Sequence, residues 1–180
     1  MSSNTQHIYE QTLVVRSQLG DERAFEELLK LFGPRLLQFT RKMMDATPAQ
    51  IDDVTQDIWV ALYRGLPSLL DVTKFRPWAF RIARDRIFRE YRRRKLRMES
   101  LEENFCAATS PDESIDLDPE ELHRSLERIS PEHREVLVLR FLEDLSYEDI
   151  ARATGNSIGT VRSRIHYAKR ALRRTWKEEL

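Results

Sequence analysis

The 180-residue chain predicts an all-α fold: two small helical domains joined by an acidic flexible linker, the C-terminal one a helix-turn-helix. Three observations carry this. Glycine (5) and proline (7) are sparse while charged residues reach 33%, the composition of a helical protein. Apolar residues recur every three or four positions over most of the length. Charge is segregated: residues 74–97 hold eleven Lys or Arg against two acids, and residues 98–122 hold nine acids and no Lys or Arg. The formal net charge of zero is therefore the average of basic and acidic blocks, and it does not argue against a polyanionic partner. A chain of this size has room for one or two small domains with modest cores.

The first domain is expected over about 8–97. Asp21 caps a helix in which Phe25, Leu28, Leu29, Phe32, Leu36 and Phe39 recur at helical spacing, and Gly33-Pro34 is expected to interrupt or kink it. A second helix over about 48–63 carries Ile51, Val54, Ile58 and Leu62 on one stripe. Asp52, Asp53, Gln56 and Asp57 lie mostly off that stripe, and Gly65 and Pro67 end the helix. After a loop through Leu70–Lys74, a third helix runs over about 75–97, apolar around most of its circumference and so packed into its domain. Arg81, Arg84, Arg92 and Lys95 still share an arc of roughly 80°, with Phe88 among them and Trp78 and Phe80 near the start. Arginines beside aromatic rings suit single-stranded nucleic acid, where bases stack and phosphates pair. The competing reading is that the aromatics are core and the arginines a solvated face.

Residues 98–119 read as the linker: acidic, weakly periodic, with Ser110-Pro111 and Asp118-Pro119. The second domain follows over 120–180. Ser130-Pro131-Glu132 has the form of a helix start, and Val136, Leu137, Leu139 and Phe141 are its expected core. Ser146-Tyr-Glu-Asp149 has the form of a capping box, Gly155 supplies a positive φ for a sharp turn, and Asn156 or Ser157 caps the last helix. In that helix Ile158, Val161, Ile165, Ala168, Leu172 and Trp176 fall within roughly 80° of the wheel. Arg162, His166, Lys169, Arg170, Arg173, Arg174 and Lys177 fill a neighbouring arc of roughly 140°, and no acid occurs between Asp149 and Glu178. Like charges on one helix face repel, so a purely basic face is fitted to a polyanion, DNA first.

Cys106 is alone and the four histidines are scattered, so neither a disulfide framework nor a metal site is expected. No nucleotide-binding glycine loop and no nucleophile–base pair appears, so neither an enzyme nor a cofactor is expected. There is no signal-peptide pattern and no apolar run approaching a membrane span; no membrane insertion and a cytoplasmic, nucleoid-associated location follow as expectations.

Gly20–Phe25, Asp52–Trp59, Phe75–Arg84, Ile129–Val136, Leu145–Ala151 and Gly159–Ile165 together resemble, in order and over nearly the whole chain, a bacterial RNA polymerase sigma factor of the extracytoplasmic-function type. The resemblance implies that Asp52, Asp53, Gln56, Asp57 and Trp59 face the clamp of the largest subunit of core RNA polymerase. It implies that Val72, Thr73 and Lys74 capture a flipped −10 base, with Trp78, Arg81, Arg84, Asp85 and Arg92 on the melted promoter. Arg140, Arg162, Ser163, His166 and Tyr167 match −35 contacts made beside the flap of the second subunit, with Lys169, Arg170 and Arg173 adding backbone affinity. An anti-sigma factor joins the candidate partners. Asp85 departs from the family, many of whose members have Asn there; a carboxylate cannot donate a hydrogen bond and repels phosphate, and pairing with a neighbouring Arg is the alternative. Two other classes stand beside this reading: a stand-alone helix-turn-helix regulator, which usually needs a dimer seam absent from the sequence, and an enzyme or scaffold with basic helices. Two readings of the acidic linker stand open: its acids keep the segment solvated or mimic nucleic acid in a polymerase channel, or they mask the basic faces of the free protein.

Overall fold

The computed structural model describes the backbone of residues 3–98, 125–126 and 128–177, with side chains for 5–94, 125–126 and 128–175. The expected linker beyond Met98, its masking acids, and the side chains of Lys95, Trp176 and Lys177 lie outside the described residues. Seven helices are described: α1 (Ser3–Gln18), α2 (Glu22–Met43), α3 (Pro48–Gly65), α4 (Phe75–Met98), α5 (Pro131–Leu137), α6 (Tyr147–Thr154) and α7 (Ile158–Lys177).

Helix α1 packs along α2 and is tied down by polar contacts rather than by a simple apolar stripe. Arg16 pairs with Asp21 at 2.7 Å, Arg76 grips both carboxylate oxygens of Glu10, and the Gln18 amide donates to the carbonyls of Leu66 and Leu69. Asp21 accepts from the Ala24 amide and so starts α2 as expected. Gly33-Pro34 does not interrupt that helix, which runs through it. Proline removes one backbone bond, and the burial of Leu28, Phe32, Leu36, Phe39 and Met43 along α2 offsets the loss. Thr47 and Gln50 close a reciprocal capping box at the start of α3, with Pro48 at the first helical position. The core of this half is aromatic: Phe80 lies 5.5 Å from Phe32 and 5.1 Å from Phe39, and Phe75 lies 5.2 Å from Phe32.

In the C-terminal half, Ser130 accepts from the His133 amide and starts α5, which packs on α7. Val136, Leu137 and Leu139 are buried as expected, whereas Phe141 is 53% exposed. The reason is local. Residues Val138–Leu142 form a π-helical turn, marked by the Glu143 amide bonding to the Val138 carbonyl, and the wider turn rotates Phe141 out of phase with the core. Ile158, at the start of the expected apolar arc, is likewise 42% exposed; Val161, Ile165 and Ala168 are buried. The two halves touch: α6 lies against α4, and α5 against α2.

Candidate nucleic-acid interface

The turn before α7 is built as its residues dictate. The Ser146 hydroxyl accepts from the Asp149 amide at 3.0 Å and caps α6. Gly155 then adopts φ 70°, the left-handed conformation that a Cβ would strain, and the Asn156 amide closes back on the Ala151 carbonyl. Ser157, rather than Asn156, caps α7: its hydroxyl accepts from the Thr160 amide at 3.1 Å. The short α6, joined to α7 by a left-handed glycine, thus presents α7 with one face on α5 and the other to solvent.

On that solvent face Arg162, Ser163, His166, Tyr167, Lys169, Arg170 and Arg173 are all exposed. The rings of His166 and Tyr167 meet edge to face at 5.4 Å, Ser163 donates to the Thr160 carbonyl, and the Lys169 ammonium sits 4.8 Å above the ring of Phe141. The exposed Phe141 therefore holds a lysine of this face, a role the sequence reading missed by placing the ring in the core. Arg140 differs from the others. It is half-buried, donates to the Leu145 carbonyl at 2.9 Å and stacks over Tyr147, so it braces the turn into α6.

Helix α3 buries Ile51, Val54, Ile58 and Leu62 and leaves Asp52, Asp53, Gln56 and Asp57 exposed. Trp59 is half-buried, edge-on to Phe25 at 5.9 Å, and Phe25 also meets the exposed Tyr63 at 4.9 Å. Asp53 and Asp57 line a groove whose other wall is Arg86, Arg89 and Arg93 of α4. Those arginines recur at three- and four-residue spacing, the signal by which the sequence could have placed them on one face.

The segment before α4 is held tightly. Asp71 accepts from both the amide and the hydroxyl of Thr73, and these bonds hold its carboxyl below the usual carboxylate range. Thr73 is exposed; Val72 and Lys74 are half-covered. Trp78 is half-buried against Gly65, where an added Cβ would lie 3.0 Å from the indole, so only glycine fits without a shift. Arg81 and Arg92 are exposed. The Arg84 guanidinium lies 4.7 Å over the ring of Phe88 and 3.7 Å from Asp85, the pairing expected as the alternative for that carboxylate. Among the described residues no helix is long and apolar enough to cross a membrane.

A capped helix-turn-helix with an acid-free outer face, following an aromatic-cored helical body, defines a DNA-binding protein of transcription. Comparison with known proteins takes this further. The family model "Sigma-70 region 2" matches residues 28–97, and "Sigma-70, region 4" matches residues 120–172. The RNA polymerase sigma-H factor of Pseudomonas aeruginosa is 33% identical over 178 residues, 91% of each chain. The ECF RNA polymerase sigma-E factor of Escherichia coli is 30% identical over 183 residues, 93% of this chain and 94% of that one. The ECF sigma factor SigE of Mycolicibacterium smegmatis is 31% identical, but the chain spans only 63% of its length. Among solved structures, CnrH in complex with the cytosolic domain of CnrY superposes with a TM-score of 0.67 at 26% identity, covering 91% of this chain and 94% of that one. The sigma factor RpoE in complex with the anti-sigma factor NepR, from Bartonella quintana, gives 0.71 at 25%, covering 85% and 96%. The chain belongs to the sigma-70 family, in its extracytoplasmic-function group: it is an alternative sigma factor that directs RNA polymerase to promoters.

Proposed function

We propose that the work is divided between residues 8–97, which bind core polymerase and open the −10 region, and residues 120–180, which read −35 DNA. The acid-free face of α7, projected by the Gly155 turn, is the observation that carries the reading. In this reading Asp52, Asp53, Gln56, Asp57 and Trp59 meet the clamp of the largest subunit, and the second domain docks beside the flap. Val72, Thr73, Lys74, Trp78, Arg81, Arg84 and Arg92 act on melted −10 DNA. Asp85, paired with Arg84, positions that guanidinium instead of touching a base. Arg162, Ser163, His166 and Tyr167 read base edges, while Lys169, Arg170 and Arg173 hold phosphates. Arg140 supports the turn from behind, on the strength of its bond to the Leu145 carbonyl. The chain acts as a cytoplasmic binding subunit, not an enzyme, and an anti-sigma factor is a proposed partner because RpoE was solved with one. Run-off transcription with purified core polymerase on a promoter library tests the whole: transcripts from a defined −35/−10 subset support it, and none from any promoter overturns it.

One variant tests the division of labour on α7. Base-edge contacts discriminate by about 1–3 kcal/mol each, whereas phosphate contacts mainly change the salt slope. Arg162→Ala is expected to relax base preference at one or two −35 positions, and Arg170→Ala to weaken all promoters alike. Selection from a randomised −35 library reads the difference. Uniform weakening by Arg162→Ala would make Arg162 a phosphate clamp.

A further inference from the structure

Helix α1 carries none of the residues assigned above to DNA or polymerase, yet it holds both ends of the segment that carries three of them. Residues 66–74 run from the end of α3 to the start of α4 as two short 3-10 turns, Leu66–Ser68 and Val72–Lys74, with no helical ladder between them. At the near end the Gln18 side chain donates from Nε2 to the Leu66 carbonyl at 2.9 Å and to the Leu69 carbonyl at 2.7 Å. A side-chain amide has two N–H donors, so each carbonyl takes one. The side chains of Leu66 and Leu69 are buried. At the far end Arg76, just past the second turn, meets the buried Glu10 at 3.0 Å and 3.1 Å from Nε and at 2.7 Å from Nη2. Between these anchors the chain turns outward: Leu70 is 99% exposed and Thr73 is exposed.

The end of α1 that bears Gln18 is itself locked. The Leu19 amide donates to the Val15 carbonyl, the Gly20 amide to Ser17 and the Asp21 amide to Arg16. Gly20 takes φ 88°, and the Arg16–Asp21 ion pair closes the same turn at 2.7 Å. A side chain on so fixed a backbone can hold a loop in place.

We propose that α1 is the strut of the −10 loop: Gln18 at one end and the Glu10–Arg76 pair at the other hold residues 66–74 in the shape that receives a flipped base. Gln18 is then a positioning residue for promoter selection. The inference deepens the assignment of Val72, Thr73 and Lys74 to −10 DNA and rests on it. Taking a base out of its stack costs free energy that contacts in the receiving site must return. A slack loop spends part of that return on its own ordering, whereas a braced one does not. The apparent affinity of a site falls with the fraction of time it is competent, so a loop formed about a tenth of the time captures its base about tenfold less well. The −35 face of α7 and the polymerase face of α3 stand outside this coupling.

The test is Gln18→Met in the full chain, assembled with core polymerase. Methionine keeps the length of the side chain but donates no hydrogen bond, so the two carbonyls lose their partner while packing is kept. Selection from a library randomised over the −10 element is expected to show base preference weakened about tenfold at one or two positions. Selection over the −35 element is expected to match the parent's. Loss of folded protein lowers every promoter alike, so the shape of the preference separates positioning from damage. Gln18→Glu, of the same size with acceptors only, is expected to give the same change and replaces the first variant should that one fold poorly. Hydrogen exchange of the free chain, read by mass spectrometry, is expected to quicken about tenfold in residues 66–74 and to stay at parental rates in the middle of α3. Altered preference with parental exchange overturns the strut, because Gln18 then acts on DNA and not on the loop. Unchanged −10 preference in both variants also overturns it, and Thr73→Ala holoenzyme then says which premise failed. A changed preference in Thr73→Ala leaves the −10 assignment standing and the strut wrong; an unchanged one shows that the −10 assignment of this loop was itself wrong.

Discussion

Asp53→Lys combined with Asp57→Lys is expected to abolish co-elution with core polymerase while leaving the helical content of the protein unchanged. Both carboxylates are exposed on α3, and among the described residues neither makes a short ion pair or a side-chain hydrogen bond; Asp57 acts on Arg93 of α4 only through the field across the groove. The helix itself is secured elsewhere, by the Thr47–Gln50 capping box and by the buried stripe from Ile51 to Leu62. What the reversal changes is the field. Two lysines would face Arg86, Arg89 and Arg93 across the groove and leave Glu90 as the one acid of its lining. Against a basic clamp surface, like charges cost several kcal/mol, a loss of about a hundredfold or more in affinity. Gel filtration of the variant with core polymerase checks it. Co-elution of a helical double variant at parental affinity would move the polymerase surface off α3.

The parts of this molecule that were legible in its sequence are those fixed within a few residues. Ser146, Gly155 and the alternation on α7 specify a capped helix, a left-handed turn and a two-faced helix with no help from the rest of the chain, and each is observed. Stripes such as Ile51–Val54–Ile58–Leu62 were legible for the same reason. What stayed hidden is either non-periodic or distant. Helix α1 lacks a clean apolar stripe, since much of its anchoring is Glu10 on Arg76 and Gln18 on two carbonyls, partners 48 to 66 residues away. Phe141 was misplaced because a seven-residue α-helix passes into a π-turn, and helical phase cannot be extrapolated across the change. The cross-domain pairs could not be read at all: Arg35 and Glu143 are 108 positions apart, and nothing near either one names the other. The candidate site divides likewise. The face of α7 was fully visible as a pattern, whereas the fact that Arg84 and Lys74 face carboxylates of the other domain belongs to tertiary structure.

Phe80→Ala is expected to lower the melting midpoint of the first domain steeply, whereas Phe88→Ala is expected to leave it near the parent's. Both rings belong to α4 and both were candidates for stacking on bases, but burial separates them. Phe80 is 1% exposed, wedged between Phe32 at 5.5 Å and Phe39 at 5.1 Å, and no nucleic acid could reach it. Truncation there loses the transfer free energy of the ring and leaves a cavity that α2 and α4 cannot close without moving, a cost of about 3–5 kcal/mol. Set against a total stability of about 5–15 kcal/mol, and toward the lower end for so small a domain, that is a large share. The midpoint of thermal unfolding should fall by well over ~10 °C. Phe88 is half-exposed; it carries the Arg84 guanidinium at 4.7 Å and touches Tyr91 at 6.3 Å. Its truncation removes a cation–π contact of about 0.5–2 kcal/mol and little packing. Circular dichroism melts of the two variants give the comparison directly. If Phe80→Ala melts with the parent, the aromatic stack between α2 and α4 does not hold this domain together; if Phe88→Ala melts as low as Phe80→Ala, the two rings share one structural role and the division drawn along α4 fails.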